Sequence, residues 1–304
     1  MELIKPDINI NFIGYVKGAL IFSLILIGIS FISLVIKGGP RYGIDFEGGT
    51  LVQVKFFEKV DISEVRIALD DLTFEGLSVQ EFGEKEANEY LITMTKTTGE
   101  LEGLSENVKI TLNNKFGRES LEVRRVEMVG PKVGKDLRKK GMLAITFSLL
   151  GMLIYIWWRF ELRFGVGAII CLVHDVAITL GALSLTNKPV DLPIIAALLA
   201  VVGYSVNDTI IISDRIRENL KKMSRGRLRD IVNKSINQTL SRTCITAGTT
   251  LMVVIALFSL GGEVIHDFAF TLLVGICIGT YSSIFIASPL LIVWERIFPK
   301  KKRR

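Results

Sequence analysis

Apolar positions dominate this chain in six long runs, separated by polar stretches of very unequal length. The runs cover residues 18–36, 141–158, 164–185, 192–213, 244–260 and 268–294. A helix needs about 20 apolar residues to cross the hydrocarbon core of a bilayer, so each run predicts a transmembrane helix. The fifth run is short by itself, and its helix is expected to begin near Thr239. The first run is too long for the apolar part of a signal peptide and no A-x-A-like site follows it, so it is expected to remain as an anchor.

Between the first two runs the periodicity changes. "GTLVQVKFF" alternates as a strand, and "DISEVRIALDDL" reads as a helix with Asp61 as N-cap and Glu64 at the capping-box position. "LSVQEFG" and "EYLITMTK" read as a hairpin, "GLSENVKITLNNKFG" as a second helix and "SLEVRRVEMVG" as a last strand. The order βαββαβ predicts an α+β ferredoxin-like sandwich, a four-stranded antiparallel sheet with both helices on one face. The expected organisation is residues 1–36 as N-terminus and first span, 37–140 as the inserted domain, 141–295 as spans two to six with a basic loop at 214–243, and 296–304 as a basic tail.

Composition and charge agree with a membrane protein. The 304 residues are 49% hydrophobic with a mean hydropathy of +0.44 and a formal charge of +6. The basic residues sit beside the apolar runs: nine lie between Asp214 and Thr243, and six follow Trp294, whereas "TNKPVD" carries only Lys188 and "GGEVIHD" none. The tight "RFELR" turn adds Arg159 and Arg163 on the basic side. By the positive-inside rule both termini face the cytoplasm and residues 37–140 lie outside the cell membrane. The segment "RGRLRDIVNKSINQTL" predicts an amphipathic helix lying along the cytoplasmic interface, and without interleaved aromatic residues it does not read as a nucleic-acid site. Cys171, Cys244 and Cys277 share no metal-ligand spacing, so neither a metal nor a cofactor is expected.

Ionisable groups inside spans are costly and therefore mark candidate function. His174 and Asp175 fall near the middle of the third span. Asp208, with Asn207 beside it, lies about five residues from the cytoplasmic end of the fourth, where Tyr204, Ser205, Ile212 and Arg215 share its helical face. Arg242 enters the fifth span at a similar depth, so a carboxylate–guanidinium pair that opens and closes with protonation is one reading; a cation snorkelling to the interface is the other. Asn207 reads as a cross-helix hydrogen bonder or a member of a proton path, and His174 as a relay or as the partner of a carboxylate. His266 and Asp267 read as a solvated helix start, and Gly275, Gly279 and Ser283 as a close helix contact. Neither paired catalytic aspartates nor a Ser–His arrangement occurs at matching depth, so no enzyme is expected.

Five motifs in order carry a family resemblance across almost the whole chain. "GIDFEGG" (with Gly43, Asp45, Gly48 and Gly49) follows the first span, and "VGPKVG" (with Gly130, Pro131 and Gly134) precedes the second. "HDV", "GYSVNDTIIISDRIREN" and "NQTLSRT" lie in spans three, four and five. Together they resemble the SecF family of protein-export membrane proteins (SecD/SecF), which is similar in architecture to half of a resistance-nodulation-division (RND) transporter. The resemblance implies a six-span SecD partner, a place beside the Sec translocation channel and unfolded secretory proteins as substrate. It also implies use of the proton gradient, with Asp208 and Arg242 in proton passage and "GIDFEGG" in a structural role. Two rival readings stand beside it: an RND-type efflux transporter for small molecules or lipids, and a passive scaffold for an export complex.

Overall fold

The structure, a computed structural model, describes residues 8–70, 77–82, 88–94, 103–117, 120–159, 162–223 and 227–298. The hairpin turn at 83–87, the turn at 160–161, Arg225 and the tail at 299–304 lie outside the described residues. Among the described residues, six helical segments are long and apolar enough to cross a membrane.

The first, α1 (Phe12–Ile36), starts where the Asn11 side chain accepts from Gly14 N at 2.9 Å. Most of its large apolar side chains point outward, while Ser23, Ser30 and Ser33 are buried. Small residues on that side let a neighbouring helix approach closely. A one-turn helix, α2 (Ile44–Glu47), then occupies the "GIDFEGG" motif.

The inserted domain follows as β1 (Gly49–Phe56), α3 (Ile62–Asp70), β2 (Ser78–Phe82), β3 (Glu89–Met94), α4 (Leu104–Phe116) and β4 (Leu121–Val129). The sheet order is β2-β3-β1-β4 with every neighbouring pair antiparallel, which is the ferredoxin-like arrangement. Val52, Val54 and Phe56 of β1, with Ile92 and Met94 of β3, pack against Val65, Ala68 and Leu69 of α3 and Val108 and Leu112 of α4. All these residues share one face of the sheet because side chains alternate along a strand. The register of β1 against β4 shifts between Gln53 and Val54. Asp61 caps α3 by accepting from Ser63 N at 2.8 Å.

The remaining spans are α5 (Pro131–Arg159), α6 (Leu162–Leu185), α7 (Leu192–Lys222), α8 (Leu228–Leu260) and a composite last span. That span joins α9 (Glu263–Ser282), a π-helical stretch (Ser283–Ala287) and α10 (Ser288–Ile297). Helices α6, α7 and α9 form the centre of the bundle, and α1, α5 and α8 lie around it. A Cβ at Gly181 of α6 would meet Ser30 Oγ of α1 at 1.9 Å, and one at Gly275 of α9 would meet Val201 Cγ2 of α7 at 2.2 Å. Inside lipid the close fit of small residues replaces the hydrophobic drive that builds the inserted domain.

Two elements differ from the sequence reading. Helix α5 begins at Pro131, because Pro suits the first helical turn, and runs unbroken from the inserted domain into the second span. The amphipathic segment does not lie flat as a separate interfacial helix. It forms the first turns of α8, and Val232 and Ile236 pack into the same protein core as Ile13 of α1 and Ile216 of α7. Protein side chains cover the face that the pattern assigned to lipid. Asn219 seals this contact by donating to Ser235 Oγ and Gln238 Oε1, both at 2.8 Å.

Candidate functional site

Two polar groups occupy the helix bundle. The first centres on Asp175 of α6, which is fully buried. Its Oδ2 accepts from Ser205 Oγ of α7 at 2.6 Å and from Ser282 Oγ of α9 at 2.9 Å, and its Oδ1 lies 2.9 Å from His174 Nδ1. On the other side of the ring, His174 Nε2 is 3.1 Å from Ser23 Oγ of α1, which is 3.1 Å from the Tyr281 hydroxyl. Tyr281 donates its single proton to Ala19 O at 2.6 Å. Asp175, His174, Ser23 and Tyr281 thus form one polar chain that links α6, α1 and α9. Cys171, one turn before Asp175, donates to Ser282 Oγ at 2.9 Å and lies 4.0 Å from Thr209 Oγ1, which is 2.8 Å from Ser283 Oγ. The network thus extends from α1 to the residue that follows Asp208.

Asp208 differs in kind. It is 1% exposed, yet neither carboxylate oxygen has a hydrogen-bond partner among the described residues. The Tyr204 hydroxyl, one turn earlier on α7, and Thr243 Oγ1 on α8 are likewise buried and unpartnered. Arg242 of α8 acts electrostatically on Asp208 without closing a salt bridge, and its side chain is exposed on the bundle surface. Asn207 is also exposed, because adjacent helical residues point about 100° apart. Of the intramembrane candidates, His174 and Asp175 form one network, Asp208 is buried and feels Arg242 only electrostatically, and Asn207 stands outside both.

The glycine motifs meet at the opposite end of the bundle, beside the inserted domain. Gly48 and Gly49 adopt φ of +79° and +137°, which turn the chain from α2 into β1. A Cβ at Gly48 would lie 2.8 Å from Pro131 Cα, and one at Gly134 would lie 2.9 Å from Gly48 N. Gly130 O accepts from Gly134 N at 3.0 Å as α5 begins. Gly43 N donates to Val190 O at 2.8 Å, and Asp45 Oδ2 accepts from Leu192 N at 3.0 Å. Asp191 caps the same helix by accepting from Ile194 N at 3.0 Å. Burial pushes its carboxyl up to about 6; the Ile194 N–H pulls it down, and the Asp45 and Asp267 charges add to the rise. The "GIDFEGG" turn therefore grips the N-terminus of α7, the helix that carries Asp208. Nearby, Lys188 pairs with Asp267 and contacts His266 Nδ1 at 3.3 Å, so these two residues are partnered rather than simply solvated.

Sequence reading missed Ser23, Ser282, Tyr281 and Thr209. Hydroxyls hydrogen-bond readily to their own helix, so in an apolar run they carry no distinguishing signal.

Six spans, one inserted βαββαβ domain and a buried acid network across four helices define a multi-pass membrane protein built as one transporter-type helical unit. Residues 108–297 match the family "Protein export membrane protein SecD/SecF, C-terminal", and residues 32–56 match the SecD/SecF GG motif. The chain is 49% identical over 299 residues to protein translocase subunit SecF of Calditerrivibrio nitroreducens, covering 96% of each. It is 47% identical to protein translocase subunit SecF of Vibrio alginolyticus, covering 95% of this chain and 91% of that one. Among solved structures it is similar to SecDF, a translocon-associated membrane protein from Thermus thermophilus, with a TM-score of 0.85 and 36% identity. That likeness covers 97% of this chain and 40% of the SecDF chain. The chain belongs to the SecD/SecF family and is a SecF-like subunit of the protein-export machinery.

Proposed function

We propose that this subunit assists the passage of unfolded secretory proteins across the cell membrane by coupling proton movement at Asp208 to motion of the inserted domain. The observation that carries the reading is the buried Asp208 carboxylate without a hydrogen-bond partner, inside a span and near Arg242. A carboxylate held so has two states of different charge, and Arg242 prefers one of them. Movement of one charge through the membrane potential is worth about 2.3 kcal/mol per 100 mV, enough to bias a two-state equilibrium. Asp175 and His174 form the fixed end of the path, through Cys171 and Thr209 to the neighbour of Asp208. Because Asp45 holds the first turn of α7, a shift of that helix reaches the inserted domain directly.

In this reading both termini are cytoplasmic and the inserted domain is extracytoplasmic, following the basic loops. A SecD-like partner packs where Asn207 and Arg242 are exposed, and the pair works beside the Sec translocation channel within the lipid bilayer. Export into inverted vesicles carrying the Asp208→Asn protein tests it. Export should continue at a basal rate and lose its response to an uncoupler. A normal uncoupler response from the variant would overturn the mechanism.

A further inference from the structure

A second feature lies at the end of the bundle away from the inserted domain. There an open cavity of about 810 Å³ is walled by the segment before α1, the end of α7 and the first turns of α8. Arg227, Arg229 and Lys234 line it against one carboxylate, Asp230. Among the described residues, none of these four forms a salt bridge, whereas Arg215 and Lys222 at the same end are each held by Glu218 at 2.6 Å. The cavity is therefore cationic, with charge left for a ligand.

Its walls are pre-set. Asn233 Nδ2 and Asn237 Nδ2 donate to Ile10 O at 3.0 and 2.9 Å, and Asn237 Oδ1 accepts from Ile10 N at 2.8 Å. Two side-chain amides one turn apart thus fix the segment that forms the opposite wall. The depth is informative as well. Ile13, in the first turn of the apolar helix α1, lines the cavity together with the cations, so the space straddles the boundary between polar and apolar surroundings. Phospholipid phosphates sit at that boundary, and cationic pockets beside membrane helices hold them. The volume falls in the range of small-ligand sites.

We infer that this cavity binds the phosphate of an anionic phospholipid headgroup, with Arg227 and Lys234 as its principal cations. A free phosphate offers the same charge but has no acyl chain to lie along the exposed Ile8 and the exposed apolar face of α1. The lipid source follows from that apolar neighbour.

Native mass spectrometry of the full chain, released from detergent with phosphatidylglycerol or phosphatidylcholine, tests the site. Phosphatidylglycerol should be retained preferentially and resist millimolar inorganic phosphate. The double variant Arg227→Gln/Lys234→Gln should lower its affinity about tenfold, since each surface cation adds a comparable share of the attraction. Asp230→Asn should strengthen binding, a gain that misfolding cannot imitate. Lys221→Gln, at the same end but off the cavity wall, should leave binding unchanged. Equal retention of the two lipids, or equal loss in Lys221→Gln, would refute the site. Displacement of phosphatidylglycerol by inorganic phosphate would refute its assignment to lipid.

Discussion

His174 Nδ1 meets Oδ1 of its neighbour Asp175 at 2.9 Å in the interior of the helix bundle, with both side chains buried. The far side of the ring faces Ser23, whose own proton goes to Tyr281. Each ring nitrogen therefore has a partner, Asp175 on one side and Ser23 on the other. The chain has only two histidines, so nitrogen-15 NMR of histidine-labelled protein resolves this directly. Hydrogen on Nδ1 of His174, donated to Asp175, is the expected result. A bare Nδ1 would contradict that donation. Tyr281→Phe should remove the Ser23 acceptor and shift the His174 signal.

Asp208 should behave oppositely in stability and in function. Its carboxylate is buried without a hydrogen bond among the described residues, so an uncharged amide of the same shape avoids the desolvation of an anion. Asp208→Asn is expected to raise thermal stability in detergent by about 1–2 kcal/mol while proton-coupled export is lost. Thermal melts of the purified protein check the first half, and a lowered melting temperature would contradict it.

The contact between Gly275 and Val201 makes a paired test of helix packing. An alanine Cβ at 275 would lie 2.2 Å from Val201 Cγ2 and 2.7 Å from Cγ1, so α9 must move away from α7. Gly275→Ala should cost about 1–3 kcal/mol. Val201→Ala removes both clashing methyls, and the double variant should recover most of the loss. An additive double variant would mean that the two helices do not meet there.

Asp191 links the end of α7 beside the inserted domain to pH. Its carboxyl is raised to about 6, above the ordinary aspartate value, so the folded state favours the protonated acid. The associated stability is full below about pH 4 and is lost as pH rises through about 6. Asp191→Asn keeps an acceptor for Ile194 N and removes the charge. It should flatten the melting temperature between about pH 4 and about 6 and stabilise the protein above pH 7 by about 1 kcal/mol, allowing for partial solvation. An unchanged pH profile would show that another group governs that range.

The six spans and the βαββαβ order were legible because run length and a change of period report directly on geometry. Asp175, His174 and Asp208 stood out because charge inside an apolar run is rare. What tells Asp175 from Asp208 was invisible: among the described residues Ser205 and Ser282 reach one carboxylate and no donor reaches the other, and that depends on which helices touch. The apolar stripe containing Val232 and Ile236 was readable, but the pattern names a buried face without naming its cover. The π-helical stretch at Ser283–Ala287 also has no sequence signature of its own. Asn207 is adjacent to Asp208 along the chain and is separated from it around the helix.

The lengths of α7 and α8 carry a mechanical consequence. At 1.5 Å per residue their 31 and 33 residues extend about 46 and 50 Å, against a hydrocarbon layer of about 30 Å. At the end away from the inserted domain they run side by side, joined by Asn219 and Ser235, and pack on the start of α1 through Ile216, Val232 and Ile13. Two rods joined in this way tilt together as one lever. A tilt too slight to detect at the acid swings the tip through a far wider arc, so spin labels at Lys222 and Arg229 are the place to watch the stroke.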